Sequence, residues 1–235
     1  MNLEQARQAV LALAEQIHDE PHPAPPSSPP LSPMRTPAFY EQVAPIVLHD
    51  ALAQTLGATL DGLIEYRYLD AVKLAGHSCP TVAGAWLMTR AALARLYPGE
   101  TPRRGEIRVE LREAQDAGVA GVIAAVAGLL TGAAGPGGFK GLAGRHARRE
   151  LLHFGAALRG ELRFTRLDSG HSVELSLRLD ALPRPADLRA QMQAALAPDA
   201  DAVTRERFAA AWQDWVRTLL VEHGDDPRLI EWHEG

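Results

Sequence analysis

The residues with the greatest chemical capacity lie in one short run, Gly76-His77-Ser78-Cys79-Pro80-Thr81. It places an imidazole and a thiol two positions apart, between a strand-like stretch and a run with helical spacing. Pro80 suits the first turn of a helix, which puts Cys79 at or next to the cap. A sulfur there meets the positive end of the helix dipole, an environment that favours thiolate. His77 adds a second donor, and a loop lets both side chains converge on one point. Together they make half of a metal site or a Cys/His reactive pair. A small buried cysteine beside an ordinary histidine at a helix start is the plain alternative for the same residues.

A zinc-like ion takes about four ligands, or three and an open position. Beyond His77 and Cys79, the candidates near predicted element ends are His49, Asp50, Asp70, His146, Asp168 and His171. Each also reads alone as a turn former, a cap or a surface group. A second copy of the chain is an equal source of the missing ligands.

A second cluster has glycine at 132, 135, 138, 141 and 144, with Lys140, Arg145, Arg148 and Arg149 in and after it. Glycine lets backbone amides approach an anion, and the basic groups offset its charge, so Lys73, Lys140, Gly138 and Gly141 are candidates for binding a small anionic ligand. The order of a Walker loop or a dinucleotide fingerprint is missing: no Gly-Lys-Ser/Thr occurs, and Lys140 stands where a third glycine belongs. A flexible loop with a solvated basic edge, or a lid over Cys79, fits the same residues. Trp212 and Trp215, on one side of a helical pattern, read as core or dimer packing.

The elements that must position these residues follow from periodicity. Leu3, Ala6, Val10, Leu13 and Ile17 recur at helical spacing, and 8 of the 17 prolines then fall between Pro21 and Pro37, which predicts a helical arm followed by an extended linker. Helices are predicted from Tyr40 to about Gly57, from Thr81 to Tyr97, after a cap at Asp116, from Ala186 to Ala197 and from Arg205 to about His223. Strands are predicted for Leu63–Leu69, Glu106–Arg112, Leu151–Leu158, Glu161–Leu167 and the alternating run Val173 to Leu179. Without a regular βαβ rhythm, this mixture predicts an α+β fold, a mixed or antiparallel sheet packed with helices. The expected organisation is an arm and linker over 1–37, an α+β core over 38–182 and a C-terminal helical extension over 183–235.

Composition narrows the function. The 235 residues carry 24 Lys and Arg against 29 Asp and Glu, a net charge of −5, which argues against a general nucleic-acid or anionic-membrane binder. One cysteine forbids an intrachain disulfide and any zinc finger that needs several cysteines. Charges scattered through the first twenty residues do not resemble a signal peptide, so the expected home is cytoplasmic. The uncharged stretch Ala117–Phe139 is long enough to be tested as a membrane span, but its Ala/Gly content predicts a close-packed core helix and no membrane.

The stretch Asp70-Ala71-Val72-Lys73-Leu74-Ala75-Gly76-His77-Ser78-Cys79-Pro80-Thr81-Val82-Ala83-Gly84-Ala85 resembles the Gly-His-x-Cys-Pro signature of the FmdE family, named for a component of formylmethanofuran dehydrogenase. The likeness continues through Thr131-Gly132-Ala133-Ala134 and Gly138-Phe139-Lys140-Gly141 and covers most of residues 45 to 180. It implies an α+β core, His77 and Cys79 as metal ligands, and a homodimer. Two departures stand out. The zinc ribbon of some members cannot be built with one cysteine, and Ala133 replaces a cysteine that relatives often carry. Two readings follow. One is a dimeric accessory, carrier or sensor protein that holds a divalent ion, zinc by its donors, through the His-x-Cys motif. The other is a metal- or Cys/His-dependent enzyme acting on a small anionic substrate.

Overall fold

Seven strands and six α-helices alternate irregularly along the described part of the chain, which in this computed structural model comprises residues 34–182 and 185–234. The chain divides into two units, Met1–Thr36 and Pro37–Gly235, and all the elements below belong to the second. The predicted arm, Leu3 to Ile17, and most of its proline-rich linker lie outside the described residues.

A 3₁₀ turn, Ala38–Gln42, leads into β1 (Ile46–His49), the short α1 (Ala51–Thr55) and β2 (Leu63–Tyr66), which pairs antiparallel with β1. This corrects the helix expected over 40–57. Pro45 precedes β1 and lacks an amide donor, and Asp50 ends the strand by capping α1, its carboxylate accepting from the Leu52 and Ala53 amides at 2.9 and 3.1 Å. The strand predicted over 63–69 stops at Tyr66, because the Asp70 carboxylate takes the Arg67 amide at 2.8 Å and starts α2 (Tyr68–Ala75).

The main sheet holds β3 (Ile107–Leu111), β4 (Leu152–His153), β5 (Leu162–Arg166), β6 (Ser172–Leu177) and β7 (Ile230–His233) in the order β4-β3-β5-β6-β7. Only β3 and β4 run parallel. The fold is α+β with a mixed sheet. Alternation along each strand aligns Val109, Phe164 and Val173 in one row and Leu111, Leu162 and Leu175 in the next, all of them buried.

Two apolar helices share the core, α3 (Pro80–Leu96) and α4 (Ala120–Thr131). Val82 to Thr89 of α3 are buried without a break, and Gly84 gives the Leu177 side chain room to press on the helix. α4 starts at a Val119 cap and not at Asp116. Its 12 residues span about 18 Å, short of a bilayer core of about 30 Å. Among the described residues no helix is long and apolar enough to cross a membrane. The C-terminal α5 (Leu188–Ala195) and α6 (Ala202–Arg217), followed by a π-helical turn at Thr218–Glu222, belong to the same unit as the sheet.

Candidate functional site

The His77-Ser78-Cys79 turn is fixed at both ends by helix termination. Gly76 closes α2 in the left-handed region, at φ 73°, and returns its amide to the Val72 carbonyl at 2.8 Å. Cys79 is the extended N-cap of α3, at φ −150°, its carbonyl accepting from Ala83 N at 2.9 Å and its side chain making no capping bond. Two residues separate the caps, so the turn has little freedom.

Its middle residue is held hardest. Ser78 is buried, and its hydroxyl shares a 3.0 Å hydrogen bond with the Tyr68 phenol. Its carbonyl accepts two side-chain donors from α6, Trp212 Nε1 at 3.0 Å and Gln213 Nε2 at 3.1 Å. Gln213 Oε1 in turn accepts from the Tyr40 hydroxyl at 3.3 Å. Tyr40, Tyr68 and Trp86 stack edge to face in series, with centroids 5.2 and 5.9 Å apart. Burial pushes the Tyr68 phenol far above its ordinary range, against the pull of the Ser78 bond, so it stays neutral and available as a donor.

The two outer residues face different surroundings. Cys79 is half-buried and lines a cavity of about 320 Å³ with Pro80, Thr81, Leu179, Leu188, Trp212 and Trp215. A neighbouring groove shares Leu188, Trp212 and Trp215 and extends to Met192. Among the described residues, none that lines the wall around Cys79 is charged. His77 is exposed, and its Nδ1 lies 2.9 Å from the Ala75 carbonyl. A carbonyl only accepts, so Nδ1 is the donor in this contact and Nε2 is the ring nitrogen left to face outward partners.

Among the described residues no group of three or more His, Cys, Asp or Glu side chains is placed to hold a metal ion. The other sequence candidates have different partners. His49 Nε2 pairs with Gln54 Oε1 at 3.2 Å, Asp70 caps α2, and Asp168 is shared by Arg166 and Arg103 at 2.7 and 2.9 Å. His171 is exposed, and His146 lies in the loop 132–150 with φ 60°. Searches against family models, curated proteins and solved structures give no match.

Lys73 is exposed on α2, and Lys140 is exposed in the loop between α4 and β4. That loop is knitted together: Arg148 N donates to Phe139 O at 2.8 Å, Ala134 N to Arg148 O at 2.9 Å, and Leu142 and Arg145 exchange both bonds at 2.8 Å. Gly138 and Gly141 serve this knitting, since a side chain at either would strike the Arg149 or Arg145 backbone. The loop leaves the C-terminal end of α4, whereas Cys79 starts α3 beside the opposite end, where Thr81 and Met88 share a cavity wall with Val119 and Ile123. It forms no part of the wall around Cys79.

Sequence reasoning missed one polar centre. Asp50 is 2% exposed and receives Arg148 Nη2 at 2.6 Å and Arg104 Nη1 at 2.8 Å, while Arg104 also donates to the Leu129 carbonyl. Arg148, read in sequence as part of a basic edge, is 7% exposed and committed to this pair. The clamp on Ser78 was also missed, because its donors lie 134 and 135 residues downstream. The only signal was a pair of tryptophans that packing alone accounted for.

Proposed function

We propose that this chain is an FmdE-like metal-binding protein, an accessory, carrier or sensor, in which His77 and Cys79 supply two donors to a zinc-like divalent ion. The observation that carries the reading is the 2.9 Å contact of His77 Nδ1 with the Ala75 carbonyl. Metal-bound histidines use such a bond to fix the ring and present the other nitrogen as the ligand. The half-exposed Cys79 thiol, with no capping bond of its own, is the second donor.

An imidazole and a thiol fit half of a tetrahedral zinc site in kind. The remaining ligands come from a second copy of the chain, which makes the functional unit a homodimer with the ion at its interface. When bound, the ion supplies a fixed positive charge and holds the turn residues together. The protein's part is to present His77 Nε2 and the Cys79 sulfur from a turn that is already ordered.

Metal content per chain, by elemental analysis of wild type, Cys79→Ser and His77→Ala, tests the reading. Wild type is expected to carry at least one ion per two chains and both variants to lose most of it. Light scattering on the same samples is expected to give a dimer mass for wild type. Equal metal in all three proteins, or none in wild type, overturns the assignment.

A further inference from the structure

The Ser78 carbonyl lies in the peptide that leads into Cys79, and it is gripped by Trp212 and Gln213 of a helix far along the chain. Ordinary helix termination does not require this. The turn residues already satisfy the local bonds: Gly76 N reaches Val72, Ala83 N reaches Cys79, and the Ser78 hydroxyl reaches Tyr68. Two extra side-chain donors on one carbonyl add orientation. They hold the Ser78–Cys79 peptide plane, and with it the backbone that carries the thiol.

We propose that Trp212 and Gln213 are positioning residues for the His77/Cys79 pair, so that α6 is a functional part of the site. Trp212 has two jobs. Its indole N–H holds the carbonyl, and its ring walls the cavity onto which Cys79 opens. Gln213 links the clamp to the aromatic stack through Tyr40, so the orientation of the turn is referred to the rigid core and not to a surface helix alone. The role resembles that of outer-shell groups around metal ligands, whose removal typically lowers affinity about 10–100-fold while the ligands stay in place.

The test uses the full chain, with Co²⁺ alone as the metal probe and iodoacetamide as a neutral thiol probe. Trp212→Phe keeps the wall and removes the N–H, Gln213→Leu removes the second donor, and the double variant removes both. Phe208→Ala, which deletes a stacking neighbour of Trp212 at 5.6 Å without touching Ser78, controls for general loosening of α6. The double variant is expected to bind Co²⁺ at least about 10-fold more weakly, with a shifted thiolate-to-cobalt absorption band, and to alkylate Cys79 several-fold faster. Either single variant is expected to show part of both effects, and Phe208→Ala neither. Wild-type Co²⁺ affinity and alkylation rate in the double variant overturn the proposal, as does an equal change in Phe208→Ala. The metal arm rests on the function proposed above. If wild type binds no Co²⁺, that function fails, and the alkylation rates alone then decide whether α6 positions the thiol.

Discussion

Asp50 stands at a junction that decides the local fold. Burial alone would raise its carboxyl pKa, but hydrogen bonds from Arg104 and the Ala53 amide, with the charges of Arg148 and Arg104, more than offset that and hold it below the usual carboxylate range. Asp50→Asn keeps the shape and leaves two guanidiniums without their anion, one of them buried, so a loss of about 3–5 kcal/mol is expected in urea unfolding. A lowered folded pKa means that the contribution is present above the unfolded value, about 3.9, and disappears as pH falls through the folded one. Wild type is therefore expected to lose more stability than Asp50→Asn when both are taken from pH 7 into that acid range. A parallel loss in the two proteins would remove Asp50 as the group responsible. Gly105 belongs to the same cluster: it sits at φ 86°, and a methyl group there would collide with the Arg148 guanidinium. Gly105→Ala is expected to cost about 1–3 kcal/mol, measured by the same unfolding curves.

At the scale of elements, α3 carries both the site and much of the core. Met88 is fully buried at its middle, so Met88→Ala is expected to cost about 2–5 kcal/mol, whereas Val203→Ala on the exposed side of α6 should stay within about 0.5 kcal/mol, as read by thermal melts. This helix was legible in sequence almost to the residue, since Pro80 marks its start and Pro98-Gly99 its stop. The alternating strands β3, β5 and β6 were legible for the same reason: a local period announces each of them. Elements without a local period were lost. β1 hides in a run that reads as helix, and β7 is four residues whose only reason to be extended is the ladder to β6, with Trp232 opposite Leu175 and stacked under Arg95 at 4.4 Å. The candidate site divides the same way. His77, Cys79 and the α3 cap are contiguous and could be read directly, whereas the hold on Ser78 depends on tertiary packing that no short window contains.

The unit from Pro37 onward contains the sheet, the apolar helices and the aromatic stack, and so has a complete core of its own. A chain beginning at Pro37 is expected to unfold in one cooperative transition with a normal dependence on denaturant for its size, by circular dichroism in urea. A broad or multistep transition would show that residues 1–36 complete that core. In a protein of net charge −5, the described residues around Cys79 form a largely apolar wall, with Arg189 in the adjoining groove. The chain's single sulfhydryl gives it a built-in address. A nitroxide attached there would sit against two indoles without any prior removal of competing sites, and in a two-fold assembly it would report one inter-spin distance, a direct ruler across the symmetry axis.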